Sequence, residues 1–153
     1  ARYIPGRTPR PAPGGECGEV ALPAPGRWRE CEAYLYGIDL YHQGFCWEAH
    51  EAWERLWLLA ARDSAQKFYL QSLILIAAAA LKLWQNCPAG AVKLSRLAQE
   101  RLARVERAGA PDEDGRFMGA PVRDLREQVE RYFGPPWESG GAPSGEPPRI
   151  CLP

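Results

Sequence analysis

Histidine and methionine are scarce in this chain: two His and one Met in 153 residues. With His42 and His50 as the only imidazoles, a metal site built mainly from histidine is excluded. Net charge is lacking too, since 19 Lys and Arg balance 19 Asp and Glu. No global field draws the molecule to nucleic acid or to an anionic membrane, so neither is expected as a partner. Cys17, Cys31, Cys46, Cys87 and Cys151 lie far apart and form no CxxC pair. That spacing speaks against a thiolate zinc site and fits a reduced, cytoplasmic protein. The opening "ARYIPGRTPRPAPGGE" has no apolar core of the kind a signal peptide needs. The longest unbroken apolar run, "LILIAAAAL" at 73–81, is nine residues, against roughly 20 for a bilayer span.

Runs of alternating β-branched residues are also missing, which leaves helices. Gly and Pro crowd into the two ends and are rare between them. The expected organisation is a Pro/Gly-rich N-terminal arm (1–27), a helical bundle domain (28–134) and a Pro/Gly-rich tail (135–153). Helices are expected over 28–43, 46–62, from a cap at Asp63 or Ser64 to 85, over 89–107, and from Pro121 to Gly134. Inner stripes are Trp28, Cys31, Leu35 and Ile38 in the first, and Ala91, Leu94, Ala98, Leu102 and Val105 in the fourth. In the fifth they are Val122, Leu125, Val129 and Tyr132. Short connections imply antiparallel neighbours, hence an all-α, single up-and-down bundle of about five helices. Tyr3, Ile4, Trp137 and Ile150 are apolar anchors by which the extended arms would wrap it.

Chemistry concentrates in "WEAHEAWERLW", residues 47–57, which holds half of the six Trp. On a helical wheel Glu54 falls about 40° from His50 and Trp57 about 20° to the other side. Cys46 and Trp53 flank the same stripe, which is expected to face inward. Glu51 sits on its shoulder, while Glu48 and Arg55 point to the opposite side. The i, i+4 spacing brings His50 and Glu54 into contact, suiting a shared divalent ion or an acid–base pair. In the third helix Gln71 and Lys82 share one line on an otherwise apolar surface and need partners. An interhelical polar cluster of Glu48, His50, Glu51, Glu54, Gln71 and Lys82 is therefore expected, with Trp57 at its edge. Cys46 beside His50 also permits a Cys–His nucleophile, although a buried Cys is commonly inert packing.

The stretch "YLYGIDLYHQGFCWEAHEAWERLW" resembles the Domain of Unknown Function 309 family. Its HxxxExxW hallmark is matched by His50, Glu54 and Trp57, and its EAHE core by Glu48, Ala49, His50 and Glu51. "QSLILIAAAALKLWQNCPAGA", residues 71–91, is similar to its downstream element, and "YIPGRTPRP" and "PPRICL" to its leader and tail. The resemblance implies an all-α bundle and a His–Glu motif suggested to bind metal, here His50 and Glu54. Ser72 and Leu75 depart from the family pattern, as do Asn86 and Cys87. Lys82 stands where many members carry His. A protonated Lys cannot ligate metal and is expected to pair with Glu54 or Glu51.

The functional expectation is a cytosolic helical protein with a semi-buried His/Glu/Lys cluster between helices two and three. The cluster would be a divalent-metal or small-ligand site, and a metal would be Mn, Mg or Fe rather than Zn. The alternative is a non-enzymatic interaction or scaffold protein, homo-oligomeric or bound to a protein partner, whose cluster is purely structural. No residue is assigned a catalytic role. The two readings differ in geometry: a site needs access beside His50, Glu54 and Lys82, whereas a strut needs every polar atom paired and an apolar patch elsewhere.

Overall fold

A computed structural model describes residues 2–9, 19–134 and 145–153. Its helices are a 3-10 helix (Pro25–Glu30), α1 (Glu32–His42), α2 (Cys46–Leu59), α3 (Ala65–Trp84), α4 (Pro88–Arg107) and α5 (Val122–Phe133). Each α-helix packs on the next, giving the all-α bundle. The breaks follow local chemistry. Gly44 and Gly109 take φ of 83° and 64° after α1 and α4, a left-handed turn that costs Gly nothing. Ser64 caps α3 by accepting from the Lys67 amide at 3.1 Å. Asn86 ends that helix region in the same left-handed conformation, with φ 59°.

Two departures from expectation have physical causes. The first helix does not start at residue 28, because Cys31, at φ −92° and ψ 86°, breaks the 3-10 turn from α1. The loop before α5 contains a short antiparallel ribbon, β1 (Arg116–Phe117) with β2 (Ala120–Pro121). Met118 and Gly119 at its tip have φ of 48° and 80°. Trp28 crowds Gly119 so closely that a side chain there would meet its indole.

By length and composition α3 is apolar enough to cross a membrane. In this fold it is the central helix between α2 and α4, burying Tyr69, Leu70, Leu73, Ile76, Ala77, Ala79 and Leu81. The α4 stripe lies where expected, with Ala91, Ala98, Leu102 and Val105 buried, Val92 and Ser95 joining them and Leu94 half-exposed. In α1, Tyr34, Gly37 and Tyr41 join Ile38 in the core, while Leu35 is half-exposed. In α5, Phe133 rather than Tyr132 completes the buried line after Val122, Leu125 and Val129.

Both arms lie on the bundle where they are described. At the N-terminal end, Arg2 donates to the Gln43 carbonyl at 3.0 Å and its guanidinium stacks over Trp84. Tyr3 meets the Trp47 ring edge-on at 5.0 Å, and Gln85 donates to the Pro5 carbonyl. Half-buried Ile4 accepts from Arg7 and Thr8, closing a local turn. At the other end Ile150 is buried, and the Tyr41 hydroxyl donates to the Pro148 carbonyl at 2.7 Å. The fourth anchor, Trp137, and the fifth cysteine, Cys17, lie outside the described residues.

Candidate functional site

The buried line of α2 runs through Cys46, Ala49, Trp53 and Leu56, continuing to Ala60 just past its end. Its centre lies about 80° round the helix from His50. The inward stripe is therefore rotated from the expected one: Trp53 is in the core, His50 and Trp57 are on its shoulder, and Glu54 faces out. Ala49 is fully buried on this line, and the Trp53 indole lies against Gly37 of α1. Trp53 Nε1 donates to the Tyr34 carbonyl at 3.3 Å, which satisfies its one polar atom.

His50 Nε2 lies 3.9 Å from Glu54 Oε2, with side-chain exposures of 21% and 51%. The pair expected from the spacing thus exists, but at the edge of the bundle. His50 Nδ1 is buried without a hydrogen-bond partner, as are Glu48 Oε2 and Trp57 Nε1. The Trp57 face is covered instead by the Lys67 ammonium, 4.5 Å from the ring centre, and Lys67 also donates to the Ala60 carbonyl. On its other side His50 lies against Trp47, ring centres 5.2 Å apart. Tyr3, Trp47 and His50 form a ladder of rings leading from the N-terminal arm to the imidazole. Glu48 occupies the first turn of α2, where the helix dipole favours a carboxylate.

Gln71, expected in the same cluster, has its partner elsewhere. It turns to α4 and accepts from Arg101 Nε at 2.8 Å. Arg101 in turn lies 3.2 Å from Glu100, so this polar pair belongs to the α3–α4 seam. Lys82 sits in the last turn of α3, its methylenes close to Gly90 at the start of α4. Glu54, one of its two expected partners, faces His50 instead. Ser72 is buried and satisfied by donating to the Tyr69 carbonyl at 2.6 Å.

Cys46 is buried, and desolvation, with Glu48 nearby, pushes its thiol up to about 12. A thiol held so far above neutrality is protonated, which removes the Cys–His nucleophile. Among the described residues no group of three or more His, Cys, Asp or Glu is placed to hold a metal ion. His50 and Glu54 offer two donors from one helix, where protein metal sites commonly supply three or four.

Several polar contacts were not singled out from the sequence. Tyr34 and Tyr69 meet hydroxyl to hydroxyl at 2.7 Å inside the core, and Tyr34 donates to the Met118 carbonyl at 2.9 Å. Burial drives both phenols up, so both stay neutral donors. His42 accepts from the Ile150 amide at 3.1 Å. Nothing in residue spacing announces these contacts, because their partners lie across the fold or are main-chain atoms.

Residues 34–94 match the family model described as Domain of unknown function (DUF309). The match spans α2 with His50, Glu54 and Trp57, and runs into the first turns of α4. No functionally curated protein matches the chain.

Proposed function

We propose, for a chain whose residues 34–94 belong to the DUF309 family, that the edge of α2 around His50 and Glu54 is a small-ligand site. Its ligand would be a small polar molecule carrying an N–H or O–H donor. The His50 ring carries this reading: one nitrogen is buried without a partner and the other faces a half-exposed carboxylate 3.9 Å away. A side chain selected only as a packing strut would have its polar atoms paired, since each buried unpaired group costs about 1–3 kcal/mol. Rotation about χ2 presents either nitrogen to the open side, and Glu54 adds a second acceptor. A divalent ion on His50 and Glu54, its shell completed by water, is the narrower version of the same reading. Mn, Mg or Fe suits that donor pair better than Zn. Free Cys31, Cys46, Cys87 and Cys151 fit a reducing compartment, the cytoplasm.

Thermal unfolding of the whole chain against a panel of small amines, small alcohols, MnCl2 and MgCl2 tests the site. Saturation to 100 times Kd stabilises by about 2.7 kcal/mol. The expected result is a stabilising compound whose effect is abolished by both His50→Gln and Glu54→Gln. A stabilisation that both variants keep, or none with any compound, overturns the proposal. Elemental analysis of chelator-free protein separates ion from organic ligand.

A second reading, a helical interaction module, draws support from α1 and α2. Tyr36, Leu58 and Leu59 are 61%, 67% and 53% exposed, unusually open for large apolar side chains. Sedimentation equilibrium of the wild type against Leu58→Ser with Leu59→Ser tests it. Loss of self-association in the double variant supports this reading, and a wild type monomeric at high concentration removes the homo-oligomeric form of it.

A further inference from the structure

Residues 148–151 lie across α1 and α5 with inward and outward side chains alternating. Pro148 and Ile150 are buried, whereas Arg149 and Cys151 between and after them are exposed. The segment is held mostly through its backbone. Tyr41 donates to the Pro148 carbonyl at 2.7 Å, and Gln128 brackets Arg149 by accepting from its amide at 2.9 Å and donating to its carbonyl at 3.3 Å. Arg116 donates to the Cys151 carbonyl at 3.0 Å. One fixing point differs in kind: the Ile150 amide donates to His42 Nε2 at 3.1 Å. That bond needs a lone pair on Nε2, so the ring proton must sit on Nδ1.

We propose that His42 is a proton-sensitive latch for the C-terminal segment, which is held tightly on α1 and α5 while the imidazole is neutral and is loosened when it is protonated. A solvent proton added at Nε2 occupies the lone pair that the Ile150 amide uses. Two N–H groups then face each other and the bond is gone. The new cation also lies near the Arg149 guanidinium, carried by the segment it was holding. The charged groups bearing on His42 are Arg149 on the segment, which disfavours its charge, and Asp39 on α1, which favours it. On α5 the neutral amide of Gln128 meets the segment and also donates to the Asp124 carboxylate at 2.8 Å. Tyr41, whose ring is 5.7 Å from His42, is held neutral by burial. Desolvation is the largest influence and, with Arg149, lowers the His42 pKa below its ordinary 6.5. The sign follows: the hold of this bond on the segment is complete above the ordinary value and is lost as pH falls through the lowered one. The latch therefore loosens under mild acid rather than at neutrality.

Amide hydrogen exchange of Ile150 by NMR, corrected for the intrinsic pH dependence, tests the proposal alongside titration of the His42 ring. As pH falls through the His42 midpoint, Ile150 protection is expected to drop about tenfold, the scale of one lost hydrogen bond. Leu73, in the core of α3, should keep its protection and so report that the bundle stays folded. His42→Ala should show weakened Ile150 protection at every pH, without the step. Should that variant fail to fold, His42→Gln serves: its amide oxygen accepts from Ile150 and cannot be charged, so its protection should be independent of pH. Protection that ignores the His42 titration in the wild type, or an unchanged step in either variant, overturns the latch.

Discussion

Gly37 on α1 lies against the indole of Trp53 on α2, so close that a Cβ at position 37 would stand 2.8 Å from both Trp53 Cδ1 and Cε2. Trp53 is fully buried and its Nε1 is tied to the Tyr34 carbonyl, so the ring cannot give way cheaply. Glycine inside a helix is otherwise a liability, which makes this contact its reason.

Gly37→Ala should therefore destabilise the chain despite alanine's better helix propensity. Overpacking costs about 1–3 kcal/mol, and about 1 kcal/mol returns from propensity. The expected net loss, read by urea denaturation, is up to about 2 kcal/mol. The same substitution in a Trp53→Phe background should cost less, because the smaller ring leaves room for the methyl.

The core tyrosine pair predicts an order rather than a single value. Tyr34→Phe leaves both the Met118 carbonyl and the Tyr69 hydroxyl without their partner, at about 1–3 kcal/mol. Tyr69→Phe leaves the Tyr34–Met118 bond intact and should cost about 0.5–1.5 kcal/mol. Equal losses in chemical denaturation would show that the two hydroxyls do not form a directed chain.

Thiol chemistry should divide the cysteines by burial. At pH 8 iodoacetamide should label exposed Cys87 and Cys151 in the folded protein. It should spare Cys31 and Cys46, whose thiols burial pushes up, until denaturant is added. Peptide mapping by mass spectrometry reads the four sites separately. Rapid native labelling of Cys46 would restore it as a candidate nucleophile.

Gln71 belongs to the α3–α4 seam, and its removal should be felt only there. Gln71→Ala should cost about 1 kcal/mol or less, because Arg101 keeps its contact with Glu100. The His50 ring resonances in an NMR titration should not shift. A changed His50 titration would put Gln71 back in the α2 cluster.

The number of helices, their order and most of their ends could be read from the chain, because periodicity, Ser64, Gly44 and Gly109 are local signals. The face of α2 could not. Three Trp carry equal weight on a wheel, yet Trp53 alone is fully buried, and Ala49, which carries little weight, is fully buried with it. An error of about 65° in that face was enough to place Glu54 inside. Partners were harder still. The polar side of α3 correctly identified Gln71 as needing one, but the choice between α2 and α4 depends on how α3 is turned in the bundle. The β1–β2 ribbon escaped for a different reason, since two-residue strands leave no alternation to detect.

The bonds from Tyr41 and His42 to the tail join residues 107 and 108 positions apart. Closing so long a loop before the helices are paired would cost chain entropy with little return, whereas the α1–α2, α2–α3 and α3–α4 hairpins each close over a short turn. Assembly should therefore be ordered, with the bundle first and the tail as a late seal on a surface the bundle has already built. A molecule caught before that last event would have nearly all its helix content and an uncovered strip beside Tyr41. Far-ultraviolet circular dichroism would report it as finished, and only the tail amides would report that it was not.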